Sequence, residues 1–194
     1  MVKAIIFDCF GVLTTDGWLP FKRKYFGHDE ALLAEATGYN RRMDAGLISY
    51  EDFVDAVSDL AGVDFSETKA AIEGNVTDNA LFEYIAQVLK PQYKIGMLSN
   101  AGADWLNELF TKEQCALFDE VALSFQTGFV KPEARAYQTI AERLGVTAEQ
   151  CVFVDDQERY CTAAREQGMQ AIWYQDFDDF KQQISKILEK AGTA

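Results

Sequence analysis

Short apolar runs that end on polar residues alternate with helix-period segments over most of this 194-residue chain. The first run, Ala4 to Phe7, is β-branched and aromatic and apolar on both faces, as in a central strand of a parallel sheet covered by helices on each side. It stops on Asp8, and Gly11 then lets the backbone turn. Similar runs follow at Tyr93 to Leu98, ending on Ser99-Asn100, at Val121 to Leu123, at Cys151 to Val154, ending on Asp155-Asp156, and at Ala171 to Tyr174. Between them lie helix patterns: Leu81 to Leu89, Trp105 to Phe110, Glu133 to Leu144 opened by Pro132 and closed by Gly145, and a segment to Gln167 stopped by Gly168. A last helix carries Phe180, Ile184, Ile187 and Leu188. Strands alternating with helices predict an α/β fold, a Rossmann-like, mainly parallel sheet flanked by helices.

Residues 15–76 break this rhythm, with helix-period patterns and no strand-like run. The clearest helix starts at Ser49, with Asp52 as its capping partner, and puts Phe53, Val54, Val57, Leu60 and Ala61 on one face before Gly62. Asp29 to Thr37 and Ser66 to Glu73 read as two more helices. The expected organisation is therefore an α/β core from residues 1–14 and 77–194, with an all-helical cap inserted at 15–76. Two basic-aromatic stretches in the insert, Phe21 to Phe26 and Tyr39 to Met43, are candidates for the wall of a substrate pocket.

Composition narrows the partners. Eighteen Lys and Arg against 31 Asp and Glu give a net charge of −13, which argues against nucleic acid or an anionic membrane surface, since both attract basic proteins. No apolar run approaches a membrane span, and the N-terminal run is too short for a signal-peptide core, so a cytoplasmic location is expected. Cys9, Cys115, Cys151 and Cys161 lack C-x-x-C spacing and there is a single His, His28, so a zinc site is not expected and the cysteines read as reduced, buried small residues. Oligomeric state is left open by the sequence.

The chemistry gathers at the strand ends. Open parallel sheets bind ligands just beyond the carboxyl ends of their strands, where Asp8, Ser99-Asn100 and Asp155-Asp156 all fall. Two adjacent carboxylates at a strand end repel unless a cation joins them. Lys131, just ahead of a helix, adds a cation of its own.

In order and context these residues resemble the four motifs of the haloacid dehalogenase-like hydrolase superfamily, with a helical cap inserted after the first motif. Val130 to Tyr137 and Val152 to Asp156 are similar to the V-K-P-E-A-R-x-Y and V-F-x-D-D stretches of its small sugar-phosphate phosphatases. The resemblance implies that Asp8 is a nucleophile that becomes an aspartyl-phosphate, later hydrolysed by water. It implies Mg²⁺ held by Asp8, Asp155, Asp156 and the backbone carbonyl of Phe10, so that the charge spread over a phosphoryl group in flight is met by cations. Lys131 would supply fixed positive charge, Ser99 a hydroxyl donor, and Asn100 and its neighbours backbone N–H donors to a small anionic metabolite, a sugar phosphate among the candidates.

Two positions depart from the phosphatase pattern. Phe10 stands where these phosphatases carry an Asp that protonates the leaving oxygen, and Tyr160 where relatives carry an Asn bracing the metal site. Phe10 together with Ser99-Asn100 also resembles the 2-haloacid dehalogenases, which attack carbon without a metal but lack the acidic pair at Asp155-Asp156. A non-catalytic phosphate-binding member of the superfamily is a third reading, opposed by the retention of Asp8, Lys131 and both acidic residues.

Overall fold

The computed structural model describes residues 1–192. In chain order its elements are β1 (Ala4–Phe7), α1 (Trp18–Phe26), α2 (Glu30–Asp44), α3 (Tyr50–Ala61), α4 (Phe65–Glu73), α5 (Asn79–Tyr84), β2 (Lys94–Ser99), α6 (Leu106–Leu109), α7 (Lys112–Cys115), β3 (Glu120–Leu123), α8 (Ser124–Thr127), α9 (Ala134–Leu144), β4 (Cys151–Asp155), α10 (Glu158–Glu166), β5 (Gln170–Trp173) and α11 (Phe177–Gly192). All strand pairs are parallel, in the order β3-β2-β1-β4-β5, so the strand that delivers Asp8 lies at the centre, between those that deliver Ser99 and Asp155. This is the Rossmann-like α/β sheet that the alternation predicts.

Both faces of β1 are buried, and its alternation splits the core in two. Ile5 and Phe7 point with Ile95, Met97, Val152 and Val154 toward Leu81 and Phe82 of α5 and Phe180 and Ile184 of α11. Ala4 and Ile6 face the other way with Leu98 and Phe153, toward Tyr137, Ile140 and Leu144 of α9 and Ala164 of α10. Three of the four cysteines are buried as expected and Cys115 is half-buried; all are free thiols.

Helices α1 to α4 have a core of their own, built from Phe21, Phe26, Phe53, Val54, Val57 and Ile72. The segments leading in and out run side by side, with Thr15 N–H donating to Val76 O at 2.9 Å and Asp78 N–H to Leu13 O at 2.9 Å. Trp105, from the loop after β2, packs against this helical core and the sheet core alike, its ring edge-on to Tyr50 at 4.7 Å.

The helical unit differs from the expectation in two places. Phe21 to Phe26 belongs to a helix, α1, which Asp16 caps through the N–H groups of Trp18 and Leu19, while Pro20 sits in the first turn, where no N–H partner is lost. Helix α2 does not stop at Thr37 but runs on to Asp44; Gly38 costs helix propensity, yet the capped N-terminus at Asp29 and the packing of Ala36 and Met43 carry the helix past it. The Tyr39 to Met43 stretch is therefore the last turns of a helix. In the core, Trp105 to Phe110 shrinks to the single turn α6, and the helix begun by α5 continues as a wide π turn over Ile85–Leu89.

Candidate active site

The strand register sets the site. Phe7 pairs with Met97 on one side and Val154 on the other, so the residues just past these positions converge at one edge of the sheet. Asp8 is nearly buried; its Oδ1 accepts from its neighbour Cys9 N–H at 2.7 Å and from the Lys131 ammonium at 2.8 Å. The same ammonium donates to Asp155 Oδ2 at 2.6 Å. Burial works to discharge Lys131, but the carboxylates of Asp155 and Asp8 outweigh it and hold the group charged, above its ordinary range.

Lys131 is fixed from several sides. The Asn100 amide donates to Lys131 O at 3.0 Å and its oxygen accepts from Lys131 N–H at 2.7 Å, so the side chain of Asn100 holds the lysine backbone. The ammonium also lies 4.8 Å from the Tyr160 ring and 5.5 Å from the Phe153 ring. Tyr160, in turn, is held by Tyr137, whose hydroxyl donates to Tyr160 O at 3.0 Å. Tyr160 thus braces the lysine.

The carboxylates of Asp8, Asp155 and Asp156 present ligand oxygens that all lie within 4.8 Å of one another. Asp155 is fully buried with both oxygens engaged, one by Lys131 and the other by Gln157 N–H at 2.8 Å. Asp156 differs. Its Oδ1 is buried and has no hydrogen-bond partner among the described residues, and burial, reinforced by the nearby Asp8 charge and opposed by Lys131, pushes its carboxyl up to about 7. Gly11, with φ +85°, makes room for it, since a Cβ there would fall 2.6 Å from that carboxyl. The Phe10 carbonyl accepts no hydrogen bond among the described residues. An orphaned carboxylate oxygen, a free carbonyl and two further carboxylates form an all-oxygen donor set that fits a hard divalent cation such as Mg²⁺.

Ser99, at the end of β2, is buried with its hydroxyl unpartnered among the described residues, as a donor awaiting a ligand would be. Asp8, Phe10, Ser99, Asn100 and Lys131 all line a cavity of about 600 Å³ that reaches up to the helical unit. Of the two basic-aromatic stretches, Lys22, Asn40, Arg41 and Met43 reach this cavity, whereas Phe21 and Phe26 turn into the helical core. Trp18, Asp16, Asp44 and Arg159 also line it and were not singled out by the sequence reading. Only the Asn40/Asp44 spacing, one helical turn on α2, carried a local signal for any of them.

Comparisons with known proteins place the chain among the haloacid dehalogenase-like hydrolases. A D-ribitol-5-phosphate phosphatase of Bacteroides thetaiotaomicron is 26% identical over 97% of this chain and 99% of its own length. The phosphatase MT3486 of Mycobacterium tuberculosis is 41% identical over 86 residues, 40% of this chain; the match spans 37% of that protein. A HAD family enzyme of Bacteroides thetaiotaomicron, crystallised with magnesium and inorganic phosphate, shares the fold, with TM-score 0.68 and 22% identity over 90% of this chain and 95% of that one. The family model of the haloacid dehalogenase-like hydrolases matches residues 2–168, and this chain belongs to that family.

Proposed function

We propose that the protein is a Mg²⁺-dependent phosphatase that hydrolyses a small phosphorylated metabolite, a sugar or polyol phosphate, through an aspartyl-phosphate on Asp8. The observation that carries this reading is the orphaned carboxylate oxygen of Asp156 beside Asp8 and Asp155, a grouping that asks for a cation and would otherwise repel a phosphate dianion. A dehalogenase attacking a 2-haloacid has no use for this concentration of negative charge, which would raise the cost of binding its carboxylate substrate. The names of the two curated relatives also favour phosphate esters.

Asp8 is the nucleophile in this scheme, and its one hydrogen-bonded lysine leaves Oδ2 available for in-line attack on phosphorus. Lys131 stays charged throughout, neutralising the equatorial oxygens, and Ser99 donates its free hydroxyl to one of them. Asp8, Asp156 and the Phe10 carbonyl would hold Mg²⁺, with Asp155 offering its remaining lone pairs while it anchors Lys131. The cation supplies the positive charge that lets carboxylate and phosphate approach. Helices α1 to α4 act as a cap that selects the leaving group and excludes water, through Trp18, Lys22, Arg41 and the neighbouring wall of the cavity.

The test is a screen of p-nitrophenyl phosphate, sugar and polyol phosphates and 2-haloacids, each with Mg²⁺ and with EDTA, for the parent and Asp8→Asn. Phosphate release that needs Mg²⁺ and vanishes in Asp8→Asn is expected. Metal-independent halide release would establish the dehalogenase instead, and turnover by neither would favour a binding role.

A further inference from the structure

Phe10 offers no proton at the position where the resemblance to phosphatases implies a carboxylic acid, and a phosphatase acting on alkyl esters needs one, since an alkoxide is a poor leaving group. Four acidic side chains besides the metal-site cluster line the cavity: Asp16, Asp44, Glu73 and Glu108. Glu73 and Glu108 are exposed. Asp16 is only half-buried; burial raises its carboxyl too, but Oδ1 accepts from two backbone N–H groups, those of Trp18 and Leu19 at the start of α1, and both favour the ionised form over the protonated form that a general acid starts from. Asp44 is buried, at 8% exposure, and lines the same cavity as Asp8 and Lys131.

Its place is fixed by contacts between α2 and the loops after β2 and β3. Ser124 Oγ donates to Asp44 O at 2.5 Å and accepts from Ala101 N–H at 2.9 Å, tying the end of α2 to the residue two past Ser99. Gly102 is in such close contact with Met43 that a Cβ would come 2.6 Å from Met43 Cγ. One carboxyl oxygen of Asp44 accepts from the Asn40 amide at 2.7 Å, and the other makes no hydrogen bond among the described residues.

We propose that Asp44, carried by the cap, is the general acid and base that Phe10 replaces in the core. The proposal rests on the phosphatase reading above. In the first step Asp8 forms a bond to phosphorus, the phosphorus–oxygen bond of the ester breaks, and the proton of Asp44 passes to the departing oxygen. In the second, Asp44 takes a proton from water as its oxygen attacks the phosphorylated Asp8; the bond from phosphorus to Asp8 breaks, and inorganic phosphate and the original form of Asp44 result. Burial pushes the Asp44 carboxyl up to about 7; Lys131 opposes this, the Asp8 charge adds to it, and the Asn40 amide and Arg159 lower it. Tyr160 is the further titratable neighbour. A carboxyl poised there is suited to both proton transfers.

The experiment compares p-nitrophenyl, phenyl and ethyl phosphate in the parent and in Asp44→Asn, with Mg²⁺ present. Because kcat/KM reports events up to release of the leaving group, Asp44→Asn should change it by less than about threefold for p-nitrophenyl phosphate and lower it about 10²–10⁴-fold for ethyl phosphate. The variant should also show a burst of about one p-nitrophenolate per enzyme before slow turnover, because the second step has lost its base. With ethyl phosphate the parent's kcat/KM should fall as pH rises through the Asp44 titration, and this limb should be absent in the variant. Asn40→Ala provides a second readout: it removes a hydrogen bond to the ionised form, so the limb should move to higher pH. Uniform loss across the three esters, no loss at all, or an unmoved limb in Asn40→Ala would overturn the assignment. A parent that hydrolyses none of the three and no sugar or polyol phosphate overturns the phosphatase reading, and the assignment with it, whereas a parent active on alkyl esters with an indifferent Asp44 overturns the assignment alone.

Discussion

Asn100 and Lys131 are joined by two hydrogen bonds of opposite sense, amide to carbonyl at 3.0 Å and peptide N–H to amide oxygen at 2.7 Å. The pair ties the loop after β2 to the loop that presents the lysine, so Asn100 acts on the ammonium through the backbone. Asn100→Ala leaves a Lys131 N–H and carbonyl without these partners in a half-buried place, at a cost of about 1–3 kcal/mol. The expected outcome is a lower melting temperature together with a fall in kcat for p-nitrophenyl phosphate. A variant melting like the parent with unchanged kcat would remove Asn100 from this role.

Gly11 should be unreplaceable for two separate reasons. Its φ of +85° disfavours any side chain, and a methyl group there would press on the Asp156 carboxyl. Gly11→Ala should therefore lower stability by about 1–2 kcal/mol and weaken Mg²⁺ binding, measured by calorimetric titration of the metal alone. Unchanged Mg²⁺ affinity would show that Asp156 can leave its position without harm.

The two acidic neighbours should part company on mutation. Asp155→Ala takes a partner from the buried Lys131 ammonium and an acceptor from Gln157 N–H, and should destabilise the metal-free protein by about 3 kcal/mol or more. Asp156→Ala removes a carboxyl that burial and the nearby Asp8 charge both disfavour, so the metal-free protein should not lose stability, while the rise in melting temperature on adding Mg²⁺ should disappear. Equal thermal behaviour of the two variants, with and without Mg²⁺, would contradict this division.

The strand ends were legible in the sequence because the motif residues sit next to long apolar runs, and the parallel sheet follows from those runs alone. Asp8, Lys131, Ser99, Asn100, Asp155 and Asp156 accordingly meet at one sheet edge. Four features were not legible. Helix α1 was obscured by Pro20, whose tolerance depends on first-turn geometry that no periodicity reveals. The end of α2 was obscured by Gly38, which local propensity disfavours and tertiary packing overrides. Asp44 lies past that point, 36 positions from Asp8, and reaches the site only because Ser124 and Gly102 seat the end of α2 on the core. Tyr160 likewise reads as a departure from a motif until its ring is found against the Lys131 ammonium.

Asp44 should leave a signature in stability as well. Its folded carboxyl titrates at about 7, above the ordinary range of an unfolded Asp, so between those values the folded state holds a proton that the unfolded chain has released. Stability from this group is therefore full below the unfolded value and is lost as pH rises toward and through 7. Metal-free Asp44→Asn should match the parent near pH 4 and melt higher than it at pH 8. A variant with lower melting temperature at pH 8 would mean that the carboxylate is stabilised by partners stronger than Lys131 and Arg159 provide.

The substitution Phe10→Asp tests whether two positions compete for one chemical task. Phe10 lines the cavity next to Asp8 and packs in part against the sheet core, so an aspartate there gains access to the leaving oxygen at the expense of some apolar contact. If Asp44 already delivers the proton, Phe10→Asp in the parent should raise kcat/KM for ethyl phosphate by less than about tenfold, well short of what a newly placed general acid contributes. In the Asp44→Asn background the same change should restore about 10²-fold or more, because the acid returns from the core side of the cavity. The rate with p-nitrophenyl phosphate should hardly respond in either background, since that leaving group needs little protonation. Rescue that fails in a double variant retaining parental Mg²⁺ affinity would show that position 10 cannot present a proton in this cavity. An equally large gain in both backgrounds would show that Asp44 had not been supplying it.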